Sequence, residues 1–419
     1  MVSTVLADNI GAERALIMRI LVLSAQYPHA DNPPSGIFVQ EQVAALRREG
    51  VDARVLVGRE AWLGPSRPLH SLAAVRRFAT PRPRLQWREH AGVVSAEFPT
   101  VVVGQFGEAV RSRSYAAGLR RVSRALRRDF PFEAVHAHTA LLDGAAAVEL
   151  KHEFGVPVVL TEHTGPFSVI TRTPAMRCRV RRALLGSDRV VAVSNTLAQM
   201  IRGAFPELPL TIDVIPNGVD QRLFSIASQP QDTSSRKTIL WIGSFGALKR
   251  PHLALSAFAA IAARRSDFDL HMIGRGPLAA ELHRDIVRSG LAARVRIDDY
   301  QDRISLAATI ARAGVLLVTS AVESFSLVTI EALSSGVPVV STRCGGPQDI
   351  LVEPWLGRLS DDSTEALATA LLEVTGALAS FRPEHLRAYA VGRFGMSVVT
   401  ARYIALYNSV LARCRALAA

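Results

Sequence analysis

The sequence predicts an α/β protein of two parallel-sheet domains facing each other across a deep cleft, and three observations carry that reading. The chain has 419 residues, too many for one ordinary core and about right for two domains of roughly 200 each. Short apolar runs of strand type alternate with helical patterns twice over, as a parallel sheet covered by helices on both faces requires. Between the two series lies a break, Ile215-Pro216-Asn217-Gly218-Val219-Asp220, followed by a stretch from 225 to 237 rich in Ser, Gln, Asp and Thr with little to bury.

Taken in order, residues 1–17 read as a loose tail, because the first strand pattern begins only after Met18. In the first domain, 18–215, apolar runs fall at Ile20–Leu23, Ala53–Val57, Val93–Phe98, Ala134–His138, Val158–Thr161 and Val190–Val193. Helical patterns cover about Gly36–Glu49 and Glu108–Arg128. Residues 216–237 form the linker. The second domain, 238–390, has runs at Thr238–Gly243, Leu270–Ile273, Val295–Ile297, Val315–Thr319 and Val337–Ser341, with helices over about Pro251–Arg264, Pro277–Ser289 and Ser326–Ser335. In 391–419, Val398, Val399, Tyr403, Ile404, Tyr407 and Leu411 recur at helical spacing, so the chain closes with a helix that buries a stripe against the domains.

Composition narrows the class. Apolar residues make up 49% and charged residues 21%, which excludes a wholly disordered or fibrous chain. The net charge is +12, yet only Lys151, Lys237 and Lys249 are lysines, so a lysine inside a motif stands out. Cys178, Cys344 and Cys414 are far apart, which suggests neither a disulfide framework nor a zinc cluster and fits a reducing cytoplasm. No apolar run reaches the ~18 residues of a membrane span, and Asp8, Glu13 and Arg14 stand where a signal peptide would be apolar.

Open parallel sheets bind ligands at the carboxyl ends of their strands, here the cleft. The richest segment there runs from Thr319 through Glu323-Ser324-Phe325-Ser326-Leu327 and Glu331 to Gly345-Gly346-Pro347. A strand ends near Ser320 and a helix begins after Glu323, with Ser324 or Ser326 placed to cap it. Free amides and the positive end of the helix dipole make that turn a phosphate site. Glu323 can reach a sugar, and Glu331, eight residues on, can accept from a vicinal diol such as a ribose. For either acid alone, a solvated or dipole-favoured glutamate is the plainer reading.

This run resembles the E-x7-E signature of the retaining glycosyltransferases of family 4, which have the GT-B fold of two facing Rossmann-like domains. The likeness extends from Met18 to about Leu411 through Tyr27-Pro28, Gly36, His136-Ala-His138, Thr161-Glu-His163, Ala192-Val-Ser194, Ile215 to Asp220, Gly243 to Lys249, Gly274-Arg275-Gly276-Pro277 and Gly345-Gly346. Ser35 to Gln42 looks most like bacterial polysaccharide-assembly members. The resemblance implies a hexosyltransferase that moves a sugar from a nucleotide diphosphate donor, with retention and without a metal or other cofactor, to a glycan, lipid-linked or small-molecule acceptor. It implies that Lys249 holds the donor pyrophosphate. It makes Glu331 the ribose ligand and Glu323 the acid that meets the donor sugar, with the amides of Phe325 and Ser326 nearby. Gly36 is the glycine that lets the first domain's backbone approach the phosphate, and His163 faces sugar and acceptor, with His138 in a similar place. An arginine common in the family is replaced by Ser244, so Arg250, Arg275 or backbone amides are expected to offset the charge.

Two other signals compete. Gly274-Arg-Gly276-Pro-Leu-Ala279, with Asp298 and Asp299 downstream, fits a dinucleotide fingerprint, but it follows the second domain's second strand, not its first, which argues against a nicotinamide oxidoreductase. Asp267-Phe-Asp269 precedes a strand, so a turn is the better reading than a metal site. Same-fold alternatives are a nucleotide-sugar epimerase, a sugar phosphorylase, or a non-catalytic nucleotide-sugar-binding partner. Residues 67–128 hold 13 arginines against Glu89, Glu97 and Glu108, a balance of +10. No aromatic-interleaved groove points to nucleic acid, so an anionic membrane surface on the cytoplasmic side is the expected partner, with a merely soluble basic face as the alternative.

Overall fold

The structure, a computed structural model, describes residues 18–29, 32–63, 85–103, 107–227 and 237–418. The expected tail, residues 67–84 of the basic stretch and residues 228–236 of the linker therefore lie outside the described residues.

The first sheet is built from β1 (Arg19–Ser24), β2 (Asp52–Leu63), β3 (Arg88–His90), β4 (Val93–Val103), β5 (Ala134–His138), β6 (Val158–Glu162), β7 (Arg189–Ala192) and β8 (Ile212–Val214). Its order is β3-β4-β2-β1-β5-β6-β7-β8, and every neighbouring pair is parallel except β3 with β4. That antiparallel edge departs from the sequence expectation and has a local cause. Ala91 (φ 50°) and Gly92 (φ 73°) form a two-residue turn with both φ values positive, the geometry that joins hairpin strands of right-handed twist. Helices α1 (Ile37–Arg48), α2 (Glu108–Asp129), α3 (Ala145–Phe154), α4 (Pro174–Gly186) and α5 (Asn195–Ala204) connect the strands.

The second sheet contains β9 (Lys237–Ile242), β10 (Phe268–Ile273), β11 (Val295–Asp298), β12 (Val315–Val318), β13 (Val339–Thr342) and β14 (Gly357–Ser360). It is wholly parallel, in the order β11-β10-β9-β12-β13-β14. Its helices are α6 (Pro251–Ala262), α7 (Ala279–Arg288), α8 (Arg303–Ala311), α9 (Leu327–Ser334), α10 (Gly346–Ile350) and α11 (Thr364–Gly376). Two more, α12 (Pro383–Phe394) and α13 (Met396–Ala418), end the chain.

Side chains alternate across each central strand, so both faces of each sheet carry core. Ile20 and Val22 point to one face, with Val39, Val43 and Leu46 of α1, while Leu21 and Leu23 point to the other, with Leu119 and Val122 of α2. The terminal helix completes the first face. Val399, Tyr403, Leu406, Tyr407, Val410 and Leu411 of α13 pack there among Ile20, Val22 and Val55, each fully buried apolar side chain contributing about 1.5–3 kcal/mol.

The chain thus crosses between domains twice, and the crossings are hydrogen-bonded to each other. The Val219 amide donates to the Phe394 carbonyl at 2.8 Å, and the Met396 amide to the Val219 carbonyl at 2.9 Å. The return crossing lies at Gly395, a few residues later than the expected boundary at 391, because α12 runs to Phe394 before the chain turns. Among the described residues no helix is long and apolar enough to cross a membrane.

Candidate active site at the domain interface

On the second domain, the loop after β9 and the loop after β12 are tied into one surface. The Trp241 indole N–H donates to the Thr319 hydroxyl at 2.9 Å, that hydroxyl lies 2.9 Å from the Lys249 carbonyl, and the Ala321 amide donates to the Leu248 carbonyl at 2.8 Å. These bonds aim Lys249 at Glu323, and the two side chains form an ion pair. The Ser320 hydroxyl donates to the same Glu323 oxygen at 2.6 Å. The backbone of Glu323 is held from behind: its amide donates to the Cys344 carbonyl at 2.7 Å and its carbonyl accepts from the Gly346 amide at 2.9 Å. A Cβ on Gly345 would lie 2.6 Å from the Glu323 oxygen, and one on Gly346 would lie 2.2 Å from the Phe325 oxygen, so the Gly345-Gly346 pair is required by close approach.

Helix α9 starts at Leu327, directly after Ser326, one of the two serines expected to cap it. Ser326, the N-cap, sits at φ 84°, its hydroxyl 2.8 Å from the Thr329 hydroxyl, and neither Ser324 nor Ser326 caps the backbone with its side chain. Among the described residues no group accepts from the amides of Phe325, Ser326, Leu327 and Val328. Uncapped amides at the positive end of a helix beside Lys249 are groups that can hold an anion, left open by the absence of a side-chain cap.

Beside it, Ser244, Gly274 and Arg275 line a cavity of 390 Å³ with Tyr300 and, from the first domain, Pro33 and Pro34. Gly274 and Gly276 let two loops touch there, since a Cβ on either would fall within 2.4 Å of the Gly243 or Phe245 oxygen. Arg275 pairs with Asp299 and sits 5.7 Å over the Tyr300 ring. The Arg250 guanidinium donates to the Thr319 and Ser320 carbonyls, both at 2.8 Å, and pairs with Asp362. It braces the end of β12. The D-x-D segment is likewise structural, Asp267 pairing with Arg265 and Asp269 with Arg294.

Glu331 is buried, with one oxygen accepting from Arg303 Nη1 at 2.6 Å. The same guanidinium donates through Nε and Nη2 to both oxygens of Glu41 on α1, at 2.8 and 3.0 Å. Burial pushes the Glu41 carboxyl up to about 7, with Arg303 pulling it down and Glu331 adding to the rise, while its two acidic partners hold Arg303 above the ordinary arginine range against burial. Sequence reasoning did not find Arg303 or Glu41. One arginine following Asp302, a helix-capping residue, carries no signal in an arginine-rich chain.

On the facing domain, Gly36 (φ 63°) caps α1, and a Cβ there would fall 2.0 Å from the Gln26 carbonyl oxygen. That strained turn is open to glycine alone. His138 Nδ1 lies 2.9 Å from His163 Nε2, and the rings stack at 5.1 Å. His136 is held behind them by Thr161 at 2.8 Å and by Tyr407 of α13 at 2.7 Å. Burial keeps all three imidazoles neutral, with His138 lowered to about 3 and the others well below the ordinary histidine value. His138 Nε2 and His163 Nδ1 are buried without a partner. The loop carrying His163 is fixed by the buried Glu162, which accepts from the amides of Ala140, His163 and Thr164 at 2.7 to 2.9 Å. The two halves of the site meet directly: the Ser194 hydroxyl donates to the Ser324 carbonyl at 2.5 Å, and a Cβ on Gly165 would lie 2.9 Å from the Ser324 amide.

Comparison with known proteins gives this arrangement a context. Glycosyl transferases group 1 matches residues 236–376, and Glycosyltransferase Family 4 matches residues 35–223. The D-inositol 3-phosphate glycosyltransferase of Pseudarthrobacter chlorophenolicus is 25% identical over 378 residues, covering 83% of this chain and 84% of the relative. The putative teichuronic acid biosynthesis glycosyltransferase TuaC of Bacillus subtilis is 26% identical, covering 84% and 88%. Among solved structures, sucrose-phosphate synthase of Thermosynechococcus elongatus superposes with a TM-score of 0.74 at 19% identity, covering 94% of this chain and 100% of that one. HepE of Anabaena in complex with UDP does so with a TM-score of 0.68 at 16% identity, covering 94% and 100%. The two facing parallel-sheet domains are the GT-B fold expected from the sequence. The chain belongs to glycosyltransferase family 4.

Proposed function

We propose that the protein is a retaining hexosyltransferase that takes its sugar from a nucleoside diphosphate donor and works without a metal. The observation that carries this reading is the Lys249–Glu323 pair beside the four unpartnered amides at the start of α9, across from Gly36 and His163. An incoming diphosphate exchanges for Glu323 as the partner of Lys249 and receives the free amides, while its nucleoside lies in the cavity of Ser244, Gly274 and Arg275 with its ribose on Glu331. Glu323, released from Lys249 but still accepting from Ser320, then takes the donor sugar's hydroxyls.

Retention proceeds by front-face attack. Once the donor is bound, Glu323 accepts from Ser320 and from the sugar's hydroxyls, which leaves it engaged beside the sugar instead of aimed at the anomeric carbon and disfavours a covalent glycosyl-enzyme. The bond from the anomeric carbon to the diphosphate oxygen breaks, the acceptor oxygen bonds to the same face, and its proton passes to the departing diphosphate. Neutral His163 orients sugar and acceptor by hydrogen bonding. The acceptor is a glycan, a lipid-linked sugar or a small polar molecule; the names of two relatives specify D-inositol 3-phosphate and teichuronic acid biosynthesis, which supports the small-molecule and glycan classes. Exposed Arg113, Arg120, Arg121, Arg124 and Arg128 on α2 give the first domain a basic face that suits an anionic membrane on the cytoplasmic side.

The test is an acceptor screen with α-configured nucleotide sugars and NMR of the product. An α-linked product, formed equally well with a chelator present, is expected. A β-linked product, or hydrolysis or epimerisation with no acceptor dependence, would overturn the reading.

A further inference from the structure

Arg303 could match Glu331 with two parallel N–H bonds, the preferred geometry of guanidinium and carboxylate, yet it gives Glu331 only one. Its other two directions are taken by Glu41, which arrives from the opposite domain on α1. The Phe224 ring, 4.6 Å from the guanidinium carbon, fixes its plane. Glu331 is thereby left with an oxygen that Arg303 does not occupy.

We propose that Arg303 and Glu41 are positioning residues of the donor site: Glu41 draws the guanidinium off Glu331 so that one Glu331 oxygen stays free to accept from the ribose. The inference rests on the reading of Glu331 as the ribose ligand. Its consequence is that ribose recognition is complete only when the two domains are closed. With Glu41 withdrawn, the same arginine turns a second N–H onto Glu331 and takes the acceptor oxygen that the sugar needs. With Glu41 ionised the buried charges come to one cation and two anions, so the triad then carries a net negative charge suited to accepting hydrogen bonds from hydroxyls and unsuited to binding an anion.

The experiment is calorimetry with whichever of UDP, GDP and ADP binds tightest, and with its 2′-deoxy counterpart, on the full chain. Wild type is expected to bind the ribose form at least tenfold tighter than the deoxy form, and Glu331→Gln to lose that preference. Glu41→Gln, which keeps the shape but not the charge, is expected to reduce the preference to about threefold or less, and the double variant to match Glu331→Gln alone, since coupled residues are not additive. Arg303→Lys, which cannot close two parallel bonds on Glu331, is expected to keep more of the preference when combined with Glu41→Gln than Glu41→Gln does by itself. A Glu41→Gln protein with unchanged preference, or a double variant whose losses simply add, would overturn the inference. Absence of any preference in wild type, or of binding by all three diphosphates, would instead remove the ribose reading on which it stands.

Discussion

The two walls of the cleft solve opposite electrostatic problems. On the second domain the groups are charged and already paired, Lys249 with Glu323, and Arg303 with Glu331 and with Glu41 of the first domain, so on the proposed reading a ligand enters by exchanging one ion pair for another. On the first domain the groups are neutral imidazoles, stacked and hydrogen-bonded to one another and to Tyr407. Charge that is paired in the empty site has no large desolvation left to lose when an anionic donor arrives, whereas neutral rings can contact a sugar without competing for its diphosphate. On the proposed reading the difference divides binding from orientation between the two walls, and each prediction below breaks one side of that division.

The largest effect belongs to Glu323→Gln. It removes the charge that faces the sugar while leaving the amide site and Lys249, so turnover should fall by about 10²- to 10³-fold, the usual cost of losing one preorganised electrostatic group, with nucleoside diphosphate affinity unchanged or tighter. A variant that keeps wild-type turnover would show that Glu323 does not meet the reacting sugar.

His163→Ala probes the other wall. Acceptor-dependent kcat/KM should drop by about tenfold or more, as expected for a lost positioning contact, while nucleoside diphosphate affinity stays within about twofold. Equal losses in both would erase the division of labour between the walls.

Neutrality of the histidine stack also has a pH signature. His138 titrates near 3 in the folded chain and near 6.5 when unfolded, so below pH 6.5 the unfolded chain binds a proton that the folded chain does not. Its contribution to stability is therefore present above pH 6.5 and is lost as pH falls towards 3, at up to ~1.4 kcal/mol per pH unit. Measured by denaturant unfolding, the stability gap between wild type and His138→Phe should shrink by about that amount per unit between pH 6.5 and 5. A gap that does not change would mean the imidazole is charged in the fold.

The smallest expected effect is on the charged wall. Arg303 of α8, Glu331 of α9 and Asp220 of the linker face Glu41, and Arg47 of its own helix lines the same cavity. Because burial raises the Glu41 carboxyl to about 7, lowering the pH from 8 to 6 protonates it and weakens its hold on Arg303. Wild-type preference for ribose over deoxyribose diphosphate should narrow a few-fold over that range, with Glu41→Gln flat. A pH-independent preference in both would separate Glu41 from ribose recognition.

Much of the candidate site's geometry was legible because its signals are local. Glu323, Lys249, Gly36 and the Gly345-Gly346 pair lie in strand-to-helix loops whose residue types follow from close backbone approach and anion binding. Most strands were visible as apolar runs, but the short β3, β8 and β14 were not read, nor were α3, α4, α5, α8, α10, α11 and α12; in α3, α4, α8 and α11 alanine-rich or arginine-rich sequences give weak periodicity beside the strands they connect. Ser326 looked like a side-chain cap because its type and place fit, and it does hold the N-cap position, but its left-handed backbone leaves its hydroxyl on Thr329 instead of on the helix amides. Arg303 stayed hidden for a different reason: its partners lie 28 and 262 residues away, and charge pairing over such separations leaves no trace in spacing.

The central claim, that Lys249 and the open start of α9 hold a nucleoside diphosphate, is tested most directly by titrating UDP, GDP and ADP into wild type and Lys249→Ala in the calorimeter. Wild type should bind at least one of them, and the variant should bind it about 10- to 150-fold more weakly, the equivalent of about 1.5–3 kcal/mol for a lost charge-assisted bond. Equal affinity in the two proteins would contradict the account.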